Sequence, residues 1–216
     1  MEDLARELRN ARFAEPPSAK RSWMLFVDGE NLEARGKAYL RANAIEPVAG
    51  PYFRAGVFLW FPPPGSGRTN FFARGGLQHT AVRAHYYTST KAGEPERTQI
   101  RAQLRDLGFD PWVVVKGSSR ASKGVDIKMT TDILANAYLN TYEVAVLLTG
   151  DGDYVPVVEW VKQLGKLVWV LAVGDKSLNQ DLRLAADQYV DLGPDLLARW
   201  RSTHPAQQEE SSQNAR

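Results

Sequence analysis

Four aspartates stand where runs of the chain change character. Asp28 closes the apolar run Trp23-Met24-Leu25-Phe26-Val27, Asp151 and Asp153 follow Val144-Ala145-Val146-Leu147-Leu148-Thr149-Gly150, and Asp126 follows a Gly/Ser/Lys-rich stretch, 116–124. An apolar run halted by a carboxylate reads as a buried parallel strand that delivers an acid to the carboxyl edge of an open α/β sheet, where such sheets place their ligands. Gathered there, the carboxylates need a cation. Hard divalent ions such as Mg2+ take carboxylate oxygens together with water and phosphate oxygens, so the pattern points to phosphate chemistry. The chain has no cysteine, and His79, His85 and His204 lack ligand-like spacing, which argues against a thiolate or multi-histidine zinc centre.

The elements that must position these acids can be read from periodicity. Strands are expected at 23–28, 81–88, 111–115, 144–149 and 167–173, with a short one at 189–192. Helices are expected after Asn31, from Pro95 to about Leu107, from Asp126 to Leu139 with Ile127, Thr130, Leu134 and Ala137 on one side and Met129, Ile133 and Asn136 nearby, from about 154 to 164, and after a Ser177 cap. Strands alternating with helices predict a doubly wound α/β sheet, mostly parallel, with strand order about 3-2-1-4-5 and helices on both faces. Residues 1–20 read as a helix and linker, 21–200 as the domain, and 201–216 as a disordered polar tail. An irregular insert at about 43–81, holding a strand-like Val57-Phe58-Leu59-Trp60-Phe61, interrupts the domain, and its length suggests a functional or disordered loop.

Composition bounds the function. At 44% hydrophobic and 24% charged, 216 residues suit one soluble α/β domain. No apolar run approaches eighteen residues and the amino terminus is charged, so the expectation is a cytoplasmic protein with no membrane partner. A net charge of +2 supplies no general attraction for nucleic acid, so any basic footprint must be local. Lys116, Arg120, Lys123 and Lys128 surround Asp126, and Arg97, Arg101 and Arg105 read as a solvated helix face.

In the expected order, strands one and four flank the switch point, which sets Asp28 and Asp151 facing one another across the crevice. Asp126, opening the helix before strand four, enters from the side; its alternative is a helix N-cap. Asp153 has the same two readings. Asn31 is near enough to orient the Asp28 carboxylate, a metal-bound water or a phosphate, or else caps a helix. Asp132 is about 600° around the helix from Asp126 and faces elsewhere, paired with Lys128. Glu30 reads as solvent-facing or capping, and Glu143 as the residue that precedes a strand.

Three segments in order, Phe26-Val27-Asp28-Gly29-Glu30-Asn31, Lys123-Gly124-Val125-Asp126-Ile127 with Thr131-Asp132, and Leu148-Thr149-Gly150-Asp151-Gly152-Asp153-Tyr154 with Pro156 and Leu164-Gly165-Lys166, resemble the NYN domain, a relative of the PIN and FLAP nucleases that includes the LabA-like proteins. The likeness continues through Leu182-Arg183-Leu184-Ala185-Ala186-Asp187 and spans roughly 22–193. It implies a PIN-like sheet and a metal-dependent ribonuclease site with Asp28, Asp126, Asp151 and Asp153 as the acids, Asn31 assisting, and Mg2+ or Mn2+ as cofactor. The expected substrate is single-stranded RNA, because a recessed crevice admits an isolated backbone more easily than a duplex. Lys116, Arg120 and Lys123 would guide its phosphates, and Trp60, Phe61, Phe71 and Phe72 would either stack bases or pack the insert. Two rivals remain. One is a silent RNA-binding or protein-interaction module of the same fold. The other is a haloacid-dehalogenase-type phosphatase, weakened because Glu30 stands where that chemistry needs a second aspartate. The oligomeric state is open, a homo-oligomer included.

Overall fold

A computed structural model describes residues 21–50, 52–60, 80–116, 121–174 and 178–203. Strands β1 (Ser22–Asp28), β4 (Thr80–Thr90), β5 (Asp110–Val115), β6 (Val144–Leu148), β7 (Leu167–Ala172) and β8 (Gln188–Asp191) form one sheet in the order β5-β4-β1-β6-β7-β8. Every pairing in it is parallel. This is the expected order, extended by the short last strand.

The helices are α1 (Gly29–Ala42), α2 (Gly93–Asp106), α3 (Ala121–Tyr138), α4 (Val155–Gln163), α5 (Gln180–Ala185) and α6 (Gly193–Thr203). Strand alternation divides them between two cores. On β1, Trp23, Leu25 and Val27 pack with Leu32 and Leu40 of α1, Ile100 and Leu104 of α2, and Leu196 and Trp200 of α6. Met24 and Phe26 point the other way, toward Met129 and Ile133 of α3, Val158 and Val161 of α4, and Leu182 of α5. With both faces covered, the central strand β6 reads as an unbroken apolar run, all five residues buried.

Several expectations need correction. The helix before β6 starts at Ala121, so Asp126 lies within it rather than at its opening. Its inward stripe is Val125, Met129, Ile133 and Ala137, spaced by four, and Ile127 is exposed. Asn179 caps α5, its side chain accepting from the Asp181 and Leu182 N–H groups; Ser177 lies outside the described residues. Residues 193–203 form α6, which the sequence did not announce. The expectations for 1–20 and 204–216 also fall outside the described residues.

The first part of the insert is ordered. Strands β2 (Phe53–Arg54) and β3 (Phe58–Leu59) pair antiparallel, and Phe53, Phe58, Leu59 and Trp60 are buried. The Tyr86 hydroxyl donates to the Leu59 carbonyl at 3.1 Å and the Thr88 hydroxyl to that of Val57 at 2.6 Å, which ties the hairpin to β4. Trp60 meets the Phe109 ring edge-on at 4.6 Å, so it packs the insert and is not a base platform. Phe61, Phe71 and Phe72 lie outside the described residues.

Two glycines separate packing from propensity. A methyl on Gly29 would stand 2.3 Å from Tyr86 Cε1 and 2.8 Å from the Tyr87 carbonyl oxygen, an overlap that involves the backbone. A methyl on Gly124 would meet nothing within 4 Å. Gly29→Ala is therefore expected to destabilise by about 1–3 kcal/mol through overpacking, and Gly124→Ala to stabilise by about 0.5–1 kcal/mol through helix propensity. Urea unfolding of both variants tests this; equal midpoints would contradict the close approach of α1 to β4.

Candidate active site

The chain passes from β1 into α1 with no intervening loop, and Asp28 is the hinge residue. It is the N-cap of α1: Oδ1 accepts from the Asn31 N–H at 3.0 Å. Oδ2 accepts from the Thr149 hydroxyl at 3.0 Å, across the strand boundary at the end of β6. Asp28 is only 5% exposed. Burial raises its pKa from the ordinary 3.8 to about 6, against the lowering effect of the Asn31 and Thr149 hydrogen bonds and with a further push from the charges of Asp126 and Glu30.

Asn31 and Thr149 lock the second acidic loop to the first. Asn31 Oδ1 accepts from the Gly150 N–H at 3.0 Å, and Thr149 Oγ1 accepts from the Asp151 N–H at 3.2 Å. Both offered readings of Asn31 hold in part, since its backbone completes the cap while its side chain positions the loop after β6. Asp151 caps the single 3-10 turn Gly152–Tyr154, its Oδ1 accepting from the Asp153 N–H at 3.1 Å. Gly152 is required by a close approach: a methyl there would lie 2.5 Å from Asn179 Nδ2, and the Asn179 N–H donates to the Gly150 carbonyl at 3.0 Å. The Asp151 and Asp153 residues are exposed.

Asp126 reaches the same field from α3. Its carboxyl is pushed up first by partial desolvation, then by the charges of Glu30, Asp151 and Asp153, while Lys116 pulls it down. Buried Tyr154 feels all four aspartates, and its phenol is pushed far above the ordinary range, chiefly by burial. Its hydroxyl donates to Met129 Sδ at 3.3 Å. The four predicted acids therefore share one electrostatic neighbourhood.

Glu30 corrects the sequence reading. Its carboxylate accepts from Ser89 Oγ and, at 2.9 Å, from Lys116 Nζ, so it restrains a cation at the rim instead of facing solvent. Glu30 and Thr149 belong to the site and were not selected from sequence. A signal existed for Thr149, the last polar residue before Asp151, but a buried threonine at a strand end is common. Lys116 is thus held by Glu30. Arg120 lies outside the described residues, as does the side chain of Lys123. Asp132 faces elsewhere as expected, paired with Lys128 and accepting from the Tyr87 hydroxyl at 2.8 Å.

The donor set is entirely oxygen, which fits a hard divalent cation in kind. Among the described residues no three Asp, Glu or His side chains stand as a ready-made ligand group. Asp151 and Asp153 are near enough for their charges to push the Asp126 carboxyl up, and both residues are open to solvent.

Comparison with known proteins agrees with this architecture. A solved structure of a protein of unknown function from Vibrio parahaemolyticus is similar, with a TM-score of 0.55 and 22% identity over 82% of this chain and 96% of that one, a likeness of fold. No curated protein matches. Among the described residues no helix is long and apolar enough to cross a membrane. The NYN domain pattern matches residues 22–193, the span that carries all four aspartates and the whole parallel sheet, and the chain belongs to the NYN domain family, a PIN-like group related to nucleases.

Proposed function

We propose that this protein is a ribonuclease that hydrolyses phosphodiester bonds of single-stranded RNA with the help of Mg2+ or Mn2+. The observation that carries the reading is the gathering of acids at the carboxyl edge, where buried Asp28 has its pKa raised to about 6 with a push from Asp126, and Asp126 is itself pushed up by the charges of Asp151 and Asp153. Such crowding of acids has no value to folding and suits a cation and the phosphate it accompanies. Asp28, Asp126, Asp151 and Asp153 would hold the ion. When bound, a divalent ion supplies an acidified water and neutralises charge on the attacked phosphate.

The chain's own groups divide the remaining work. Thr149 and the Asn31 N–H fix the two oxygens of Asp28, so that the carboxylate is oriented before any ligand arrives. Asn31 holds Gly150, and through it the Asp151 loop, at a set distance from α1. Lys116 can exchange its Glu30 partner for an RNA phosphate at the rim, and Arg120 and Lys123 would extend that path. The phosphatase alternative loses ground because Glu30 is engaged by Ser89 and Lys116 and is not a second free acid beside Asp28.

The decisive experiment incubates wild-type and Asp151→Asn protein with labelled single-stranded RNA, with and without Mn2+. Metal-dependent cleavage by the wild type and a loss of about 100-fold or more in the variant are expected, with RNA binding kept or strengthened because a repelling charge is gone. Equal cleavage by both proteins would refute the role of Asp151, and binding without cleavage would return the chain to a silent module. In parallel, Mn2+ should raise the melting temperature of the wild type and leave that of Asp28→Asn unchanged.

A pH prediction follows from the raised Asp28 carboxyl. Between about pH 4 and 6 the folded chain holds a proton that the unfolded chain has released, so metal-free stability falls as pH rises through that window. A displacement from 3.8 to about 6 corresponds to about 3 kcal/mol lost by pH 7. Asp28→Asn removes this slope. Urea unfolding in chelator at several pH values measures it, and parallel profiles for variant and wild type would contradict the assignment.

A further inference from the structure

On the α3 side of the sheet, away from the acidic edge, lies a second cavity of about 460 Å³. Its origin is topological. Helix α3 leaves the edge strand β5 and must return the chain to β6, passing β4 and β1 on the way, so one helix serves several strands and part of the β4–β5 surface stays open. A pocket of this size falls in the range that encloses a single small ligand.

The lining is specific in kind. His85 and Tyr87 of β4 contribute rings, and His85 is backed by Phe26, stacked at 5.6 Å and 17°. Trp112 of β5 is 43% exposed, and Lys128 Nζ sits over its ring 5.1 Å from the centroid, so a stacked group would take the opposite face or displace the lysine. The charges of the lining Arg83, Lys128, Asp110 and Asp132 cancel, with Arg105 outside the lining 4.0 Å from Asp110 and His85 3.9 Å from it. Arg83 pairs with Asp110 at 3.1 Å on the strand side, and Lys128 pairs with Asp132 on the helix side. Both Asp132 oxygens are engaged, one by Lys128 and one by Tyr87.

That balance decides the ligand class. A bare phosphate would have to displace a carboxylate from each cation, and a purely apolar ring would bury charged pairs without partners. A flat, neutral heterocycle with donors and acceptors on its edge meets both conditions, stacking on the indole while Arg83 and Asp110, each well exposed, offer a donor and an acceptor. We propose that this cavity is a nucleobase site, with the base stacked on Trp112 and its edge read by Arg83 and Asp110. The site stands independently of the nuclease reading. Its affinity comes from the base, so a nucleoside and its 5′-monophosphate bind alike and salt matters little.

The test is calorimetric titration of adenosine, guanosine, cytidine and uridine, each beside its 5′-monophosphate, into metal-free protein at two salt concentrations. At least one nucleoside should saturate, the matching monophosphate should bind within about threefold, and Trp112→Leu should weaken binding about tenfold or more, the scale of one base–aromatic stack. Trp112→Phe keeps a ring and should recover part of the loss, which separates lost stacking from misfolding. Asp151→Asn should bind as the wild type does. No saturation by any nucleoside, an unchanged Trp112→Leu, or loss of binding in Asp151→Asn would each overturn the site. Single-stranded RNA titrated into Asp151→Asn with and without Trp112→Leu then tells the source: a parallel loss places a base of the strand in the cavity, and no loss assigns it to a free nucleoside.

Discussion

The Asp28 carboxylate is shared by three elements that converge at the centre of the sheet. One oxygen begins α1 and the other holds the end of β6, so the acid acts as a cross-link between the two strands that flank the switch point. A cap hydrogen bond of this kind contributes about 1 kcal/mol in an exposed helix. Here it must also offset the cost of burying the group it holds, and the raised pKa records that the offset is incomplete. The absence of a loop between β1 and α1 makes the arrangement unforgiving, because Gly29 is pressed against the Tyr86 ring and the Tyr87 carbonyl. Displacing Asp28 would therefore shift α1, the Asn31–Gly150 bond and the Asp151 loop together.

Repulsion among the acids is set against that rigidity. Glu30 adds its charge to the neighbourhood of Asp28 and Asp126 while engaging Lys116, whose field favours the ionised form of Asp126. The pair thus works in both directions, raising the potential of the crevice and keeping a cation at its rim. Surface ion pairs of this exposure contribute little to stability, about 0–1 kcal/mol. The physical reason to keep such a pair is the field it makes. Local conflict between charge and burial, concentrated at one sheet edge while the cores beneath are apolar and closed, is the pattern expected where stability yields to binding or chemistry.

What the sequence could reveal depended on whether a signal was local. Asp28 and Asp151 were legible because each ends an apolar run, and burial on both faces of β1 and β6 leaves no alternation to confuse the reading. The parallel order followed from alternating elements. The start of α3 was hidden because Ala121-Ser122-Lys123-Gly124 has the composition of a loop, and with that start lost Val125 was missed and Ile127 was set beside Ala137, with Met129 and Ile133 only nearby. The apolar run 57–61 read as strand-like and contains β3, but β2 has two residues, too few for any periodicity, and the hairpin's place depends on contacts with Tyr86 and Thr88 far along the chain. Glu30 was misread for the same reason: its partners, Ser89 and Lys116, are 59 and 86 positions away.

The acidic crevice and the groove beside Trp112 have one topological cause. A doubly wound sheet sends its first crossovers one way from β1 and its later ones the other way, so the adjacent strands β1 and β6 have helices departing to opposite faces and a crevice opens between their carboxyl ends. The same reversal obliges α3 to span from the edge strand back to β6, which leaves the β4–β5 surface partly uncovered beside it. Differences in filling then follow from charge. Among the described residues, carboxylates collect at the crevice with too few cations to neutralise them, whereas Arg83, Lys128, Asp110 and Asp132 balance around the groove. A charged ligand is favoured at the first and a neutral one at the second, and α3, which carries Asp126 toward one and Lys128 and Asp132 toward the other, borders both.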